Sequence, residues 1–227
     1  MESTTERVTF NVDHAFCISL KEREYKRALF QQTFAPLISN PIEFFIAERC
    51  SDPVQGCYES HQSLAARALA EDWERVLIFV DDAKPYRFRS SQIRWVNRFI
   101  RANQFQALHP GRAMGRTWLT WLTWLTWFPF LAWGRVVVLH AFIISREGCR
   151  VLAETPYSGA PVEVMFKQQI KQHCMHLMFF HQHGAAVAGC NVLSVAIDED
   201  EWWQRNFIKP QRSMLKNIVR AVLRLRF

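Results

Sequence analysis

Glu74-Arg75-Val76-Leu77-Ile78-Phe79-Val80-Asp81-Asp82-Ala83 is the stretch on which the fold turns. Val76 to Val80 is an unbroken apolar run, the pattern of a strand buried on both faces of a parallel sheet. Two carboxylates close it. In an open α/β sheet, ligands bind at the carboxyl ends of the strands. Paired acids there are oxygen ligands for a hard divalent cation. Taken alone, Asp81 and Asp82 are equally a turn, where Asp caps backbone groups.

The pattern repeats outward from this run. Ala15-Phe16-Cys17-Ile18-Ser19-Leu20 and Ile42-Glu43-Phe44-Phe45-Ile46-Ala47 read as two further strands. A charged helix is expected over 21–34, with Ala28, Leu29 and Tyr25 facing inward and Pro36 stopping it. Ser51-Asp52-Pro53 reads as loop. Gly56 or Ser60 then opens a helix that carries Leu64, Ala68 and Leu69 and ends near Asp72. This alternation predicts an α/β fold with a doubly wound, mainly parallel sheet. Helices are expected over 91–102, 146–154, 162–180 and 212–227. Strands are expected at 135–139, directly followed by His140 to Ser145, and at 191–197. The expected organisation is a single domain over 1–204 and a basic amphipathic helix over 205–227.

At 227 residues, with 49% hydrophobic and 22% charged residues, the chain is globular and large enough for a substantial core. Its net charge of +7 resides in the tail. Arg205, Lys209, Arg212, Lys216, Arg220, Arg224 and Arg226 have no acid among them, and the remaining 21 basic residues balance 21 acidic ones. A near-neutral body argues against nucleic acid as a partner. The six cysteines form no C-x-x-C pair and no disulfide framework, which favours a reducing compartment. The N-terminal residues carry acids and no apolar core of a secretory signal, so a cytoplasmic location is expected.

Thr-Trp-Leu recurs from Thr117 to Trp127, inside an uncharged run extending to Gly134. The run is at the short limit for a span of roughly 20 residues. Three readings stay open: a buried core or lid element, a membrane-interface surface, and a spanning helix. Trp prefers the interface, and a triplet repeat would spiral around a helix rather than form one stripe. His173, Cys174, His176, His181 and His183 form a His-rich tract that matches no metalloprotease spacing and reads as structural or solvent-exposed.

Three anchors carry a family resemblance: Gly56-Cys57-Tyr58-Glu59-Ser60-His61, the strand ending in Asp81-Asp82, and His140-Ala141-Phe142-Ile143-Ile144-Ser145 with Gly148-Cys149. Together they resemble glycosyltransferase family 25, the bacterial lipopolysaccharide/lipooligosaccharide sugar transferases. That family's patterns are G-C-x-x-S-H, a strand closing in Glu-Asp-Asp, and H-A-Y-x-I-S. Val80 stands where the family has Glu, and Phe142 where it has Tyr. The resemblance implies a GT-A-like nucleotide-sugar-binding fold with a mixed, mainly parallel central sheet flanked by helices.

It also implies transfer of a hexose, galactose being the expected one, from a UDP-sugar to a glycan or glycolipid acceptor, with Mn²⁺ or Mg²⁺ as cofactor. Asp82, with Asp81 beside it, matches the family's metal acids. Ser60 and His61 would meet the diphosphate at a helix N-terminus, or alternatively act as a cap and a turn-closing His. Arg23 and Arg27, with Lys21 and Lys26, match basic residues after the family's first strand; a solvated helix face is the plainer reading of most of them. Glu163, after Pro161, matches an acidic position and is the candidate catalytic base, or else a first-turn acid favoured by the helix dipole. Two other readings accompany this one: a family member that binds nucleotide-sugar or glycan without turnover, and a basic membrane-surface protein.

Arg212, Lys216, Arg220 and Arg224 recur every four residues, opposite Leu215, Ile218, Val219, Val222 and Leu223. That amphipathic pattern suits an anionic membrane surface or a docked C-terminal helix with a solvated basic face; the lipid-linked acceptors that the resemblance implies favour the first, peripheral on the inner face of the cytoplasmic membrane. Each basic residue near such a surface contributes about 1 kcal/mol, screened by salt. A chain truncated after Lys209 keeps only Arg205 and Lys209 of the tail cations. It is expected to lose salt-sensitive sedimentation with anionic vesicles. Unchanged sedimentation would remove the tail from membrane attachment.

Overall fold

The computed structural model describes residues 7–85, 90–111, 115–118, 131–136, 139–175 and 180–182. In chain order these form β1 (His14–Leu20), α1 (Glu24–Phe34), β2 (Ile42–Ala47), α2 (Pro53–Ala70), β3 (Arg75–Val80), β4 (Ala83–Pro85), α3 (Ser90–Ala102), β5 (Ala107–Gly111), β6 (Gly115–Trp118), β7 (Leu131–Val136), β8 (Ala141–Ser145), α4 (Arg146–Glu154), α5 (Val162–Gln169), β9 (Gln172–Met175) and β10 (Phe180–Gln182). The class is α/β, as the sequence predicts. Eight strands form one sheet in the order β2-β1-β3-β8-β5-β9-β7-β6. β8 and β7 run against the other six, so the sheet is mixed and mainly parallel in direction.

Strand alternation divides the core in two. Ala15, Cys17, Leu77, Phe79 and Ile143 pack on one side with Phe30 and Phe34 of α1 and Val96, Phe99 and Ile100 of α3. Phe16, Ile18, Val76, Ile78, Phe142 and Ile144 pack on the other with Leu64 and Ala68 of α2, Cys149 and Leu152 of α4, and Met165 and Phe166 of α5. Helices therefore cover both faces, which is what continuous apolar strands require.

Several boundaries differ from the sequence expectation. Asp52 and Pro53 are not loop. The Asp52 carboxylate accepts from the Val54 N–H at 2.8 Å and Pro53 occupies the first helical position, so α2 starts well before Ser60. On α1 the inward residues are Lys26, Phe30 and Phe34, while Tyr25 and Leu29 are 64% and 50% exposed and Ala28 is also exposed. The phase of α1 follows its two stacked phenylalanines, 4.2 Å apart, which seat on Phe79. The helix expected over 162–180 stops at Gln169, and Gln172 to Met175 pair with β5 as β9. Trp118 pairs with Trp133 and Thr117 with Gly134 in an antiparallel hairpin. The uncharged run thus folds back on itself at its ends, which overturns a helix spanning the whole of it. No helix among the described residues is long and apolar enough to cross a membrane. The strand expected at 191–197 and the tail at 205–227 lie outside the described residues.

Gly148 fixes α4 against the start of β5. Ser145 N–H donates to the Gln106 carbonyl at 3.0 Å, and a Cβ on Gly148 would press into that same carbonyl and lie 2.8 Å from Ile144 Cγ1. Backbone cannot yield as a flexible side chain can. Gly148→Ala is expected to destabilise the fold by about 1–3 kcal/mol, read as a lowered urea midpoint with unchanged slope.

Candidate functional site

β1, β2 and β3 are parallel, so Leu20, Ala47 and Val80 end at one edge of the sheet. The antiparallel β8 brings Ala141, its first residue, to the same edge, opposite Phe79. The Asp81 N–H continues the β1–β3 ladder to the Ile18 carbonyl at 3.0 Å, and the Val80 N–H bonds the His140 carbonyl at 3.1 Å. Asp81 and Asp82 therefore sit at the carboxyl end of an interior strand, both buried.

Asp81 is the centre of a polar cluster. Ser19 Oγ donates to Asp81 Oδ2 at 2.8 Å, and the Arg23 guanidinium lies 3.4 Å from Oδ1. Arg27 donates to the Leu20 carbonyl at 2.6 Å, the Lys21 carbonyl at 3.1 Å and Ser19 Oγ at 3.3 Å. Arg23 and Arg27 thus converge on the acidic end of β3 instead of forming a solvated face. Beneath them Cys17 is buried. Burial pushes its thiol well up, Asp81 and Asp82 push it further, and Arg27 opposes them. Both carboxylates and Arg27 therefore act on one point. An open groove lined by Lys21, Glu22, Glu48 and Arg49 borders this cluster where β1 and β2 end.

Ser60 and His61 lie elsewhere than expected. They are in the middle of α2, not at a helix N-terminus. Ser60 Oγ donates to the Gly56 carbonyl at 2.7 Å, and His61 Nδ1 donates to the Cys57 carbonyl at 2.8 Å. The His61 ring stacks on Phe142 at 5.8 Å. Burial, opposed by the Cys57 carbonyl, holds its pKa below the usual histidine value. The physical reason for the displacement is the Asp52 cap, which moves the helix start about two turns upstream. His140 is likewise internal: its Nε2 donates to the Phe180 carbonyl at 3.0 Å and ties β8 to β10.

Glu163 is half-buried in the first turn of α5, and burial raises its pKa against a smaller lowering by its own backbone N–H. α5 packs on the face of the sheet that carries α2 and α4, the face opposite α1. Among the described residues no side-chain contact joins Glu163 to either aspartate. Ser19 is the site residue that sequence reasoning passed over; a hydroxyl one position before the end of an apolar strand was the available signal. No group of three or more His, Cys, Asp or Glu side chains suited to a metal ion occurs among the described residues.

No family model matches the chain, and no curated protein matches it. Among solved structures it is similar to A197 from STIV, at 11% identity and TM-score 0.41, covering 74% of this chain and 81% of that one. It is also similar to mannose-1-phosphate geranyltransferase from Thermus thermophilus, at 13% identity and TM-score 0.42, covering 77% and 75% respectively.

His61 and Glu163 give a pH signature. The folded state raises the Glu163 pKa, so folding favours its protonated form. Its penalty is absent below the unfolded value near 4.5 and grows as pH rises through the folded value. His61 is lowered from 6.5, so stability is lost as pH falls below that value. Glu163→Gln is expected to raise Tm at pH 7 and leave it nearly unchanged at pH 4. An equal shift at both pH values would show that burial does not disfavour the Glu163 carboxylate.

Proposed function

We propose that this protein transfers a hexose from a UDP-sugar to a glycan or glycolipid acceptor. The observation that carries the reading is the meeting of Asp81, Asp82, Arg23, Arg27 and Ser19 at the carboxyl edge of β1 and β3. Arginines and a strand-end acid pair are what a nucleotide diphosphate needs: cations for the phosphates and oxygen ligands for the ion between them.

A divalent ion fits this residue set modestly. Asp82, the acid that matches the family's metal position, would be the principal ligand, with Asp81, held by Ser19 and Arg23, beside it. One or two carboxylates with substrate phosphates suffice for Mg²⁺. When bound, such an ion would neutralise charge on the leaving diphosphate. The chain's own groups do the rest. Arg23 and Arg27 bind and orient the phosphates. Glu163, made more basic by burial, takes the proton from the attacking acceptor hydroxyl as that oxygen bonds the anomeric carbon. Ser60 and His61 hold α2 in register and leave phosphate contact to α1. The basic tail would keep the enzyme beside lipid-linked acceptors.

Binding without turnover is the second reading. Val80 withholds one carboxylate, and the Arg23 contact occupies another. Transfer assays across a panel of UDP-sugars, with and without Mn²⁺, separate the two. Release of UDP dependent on acceptor supports transfer; tight UDP binding with no release supports the second. Asp82→Ala is expected to weaken Mn²⁺-dependent UDP binding in calorimetry, and Val80→Glu to strengthen it. An Asp82→Ala protein that binds UDP and Mn²⁺ like the parent would remove Asp82 from the metal role.

A further inference from the structure

The sheet is open on the side of β2. This strand comes first in the strand order, and no described strand lies beyond it. The Lys21 N–H donates to the Ala47 carbonyl at 3.0 Å, so the backbone groups of Ala47 point at β1. Strand alternation turns those of Phe45 and Glu43 the same way, and those of Ile42, Phe44 and Ile46 outward. Natural edges are guarded by lysine, proline or a bulge. Ile42-Glu43-Phe44-Phe45-Ile46-Ala47 has none of these. Its register with β1 is unbroken, and its one charge, Glu43, is held by Arg67 and His14 of the same chain.

Exposed apolar side chains gather at this edge. Ile42 and Phe44 pack on the α1 side of the sheet, and Ile46, two residues on, shares that side. Ile46 is 45% exposed; the other large hydrophobic side chains open to this extent among the described residues are Tyr25 and Leu29 of α1. Arg27 bonds Ser19 and Phe34 meets Phe79, so that flank of α1 is turned toward β1 and β3. Tyr25 and Leu29 lie on the opposite flank, over the open side of β2. Phe30 packs on Phe44. From that contact, Tyr25 is one and a half helical turns toward the carboxyl edge and Ile46 is two strand residues toward it, each a distance of about 7 Å. Tyr25 and Ile46 therefore stand at one level.

We propose that two copies of the chain join at this edge, β2 running antiparallel to β2 of the second copy about a two-fold axis through Ile46. The outward backbone groups then match: Ile46 exchanges hydrogen bonds with its own counterpart, and Phe44 with Glu48. The two Ile46 side chains meet at the axis with a Tyr25 beside each. Charge is complementary in the same register. Glu43 of one copy stands opposite Arg49 of the other, and the reverse. The partly exposed pairs Glu22–Arg49 and Glu43–Arg67 thereby join into one row of alternating sign. A register centred on Phe44 sets Glu43 against Phe45 and Arg49 against Ser39, and forfeits that row. A second copy fits this edge because the edge is complementary to itself.

The test is sedimentation velocity of the full chain across a wide concentration range, with residue-resolved amide exchange at both ends of it. The parent is expected to pass from monomer to dimer as concentration rises. Ile46→Lys sets two ammonium groups face to face at the axis and is expected to raise the dimer Kd about tenfold or more, as like charges at an interface do. Arg49→Glu, which faces Glu43 with a second acid, is expected to weaken the dimer in the same direction. Amide exchange needs no variant. The Phe44 and Ile46 amides are expected to slow as the dimer forms, while those of Phe45 and Ala47, turned to β1, exchange slowly throughout. A chain that is monomeric at every concentration overturns the proposal. So does a dimer whose Phe44 and Ile46 amides exchange as fast as in the monomer, since the interface is then elsewhere. Slow exchange of these two amides in the monomer overturns it as well, because a segment of the same chain then covers the edge.

Discussion

The Asp81 carboxylate ties three pieces of chain to one point. Ser19 reaches it from β1, Arg23 from the start of α1, and its own backbone N–H extends the β1–β3 ladder. A buried carboxylate that loses its partners costs several kcal/mol, so the end of β3 and the entry of α1 hold each other in place. Arg27 completes the junction by taking up the Leu20 and Lys21 carbonyls. The edge is thus preorganised, and the same bonds limit its chemistry. A carboxylate committed to an arginine is a poorer metal ligand, and the apolar Val80 one position earlier supplies none, so the metal role proposed for this edge rests on the place of Asp82 in the sequence motif.

The opposite face of the sheet is held by rings. Phe142 packs edge-on to Phe166 at 5.2 Å, stacks with His61 and lies near His109 at 6.0 Å. Four elements meet in that group: α2, β5, β8 and α5. Phe142 is fully enclosed, and a tyrosine at that position would bring a hydroxyl into the cluster that has to find a partner. A phenylalanine there suits a dry interior.

β1 to β3 were legible because continuous apolar runs bounded by polar turns have one good solution in an α/β chain. α4 occupies the 146–154 expected from the sequence, and Ser145 Oγ caps it by accepting from the Gly148 N–H at 3.3 Å. What escaped reading had a local reason in each case. Asp52-Pro53 is a turn pair in composition and a helix start in fact. The charged residue Lys26 buries its stem while the apolar Tyr25 and Leu29 face out, which inverts the usual assignment. β5 contains His109 and Pro110, and β9 reads Gln-His-Cys-Met; neither has the β-branched density of a strand, and both are strands because their neighbours supply the ladder. At the candidate site, Asp81, Asp82, Arg23 and Arg27 were singled out through the family resemblance, and Arg23 meets Asp81 while Arg27 meets Ser19 beside it. Ser19 was hidden inside an apolar run, and Ser60 and His61 were displaced by the missed cap.

The sheet order has a consequence for synthesis. β1, β2 and β3 are complete once residue 80 has been made, yet the free side of β3 is covered only by β8, at residues 141–145. β5 is made earlier than both its partners, β8 and β9, and has nothing to pair with until they emerge. For roughly sixty residues of translation the nascent chain therefore exposes Val76-Leu77-Ile78-Phe79-Val80 as a bare apolar edge, the kind of template that recruits other chains. The strand whose end carries the acidic pair is also the strand most in need of shelter on the ribosome.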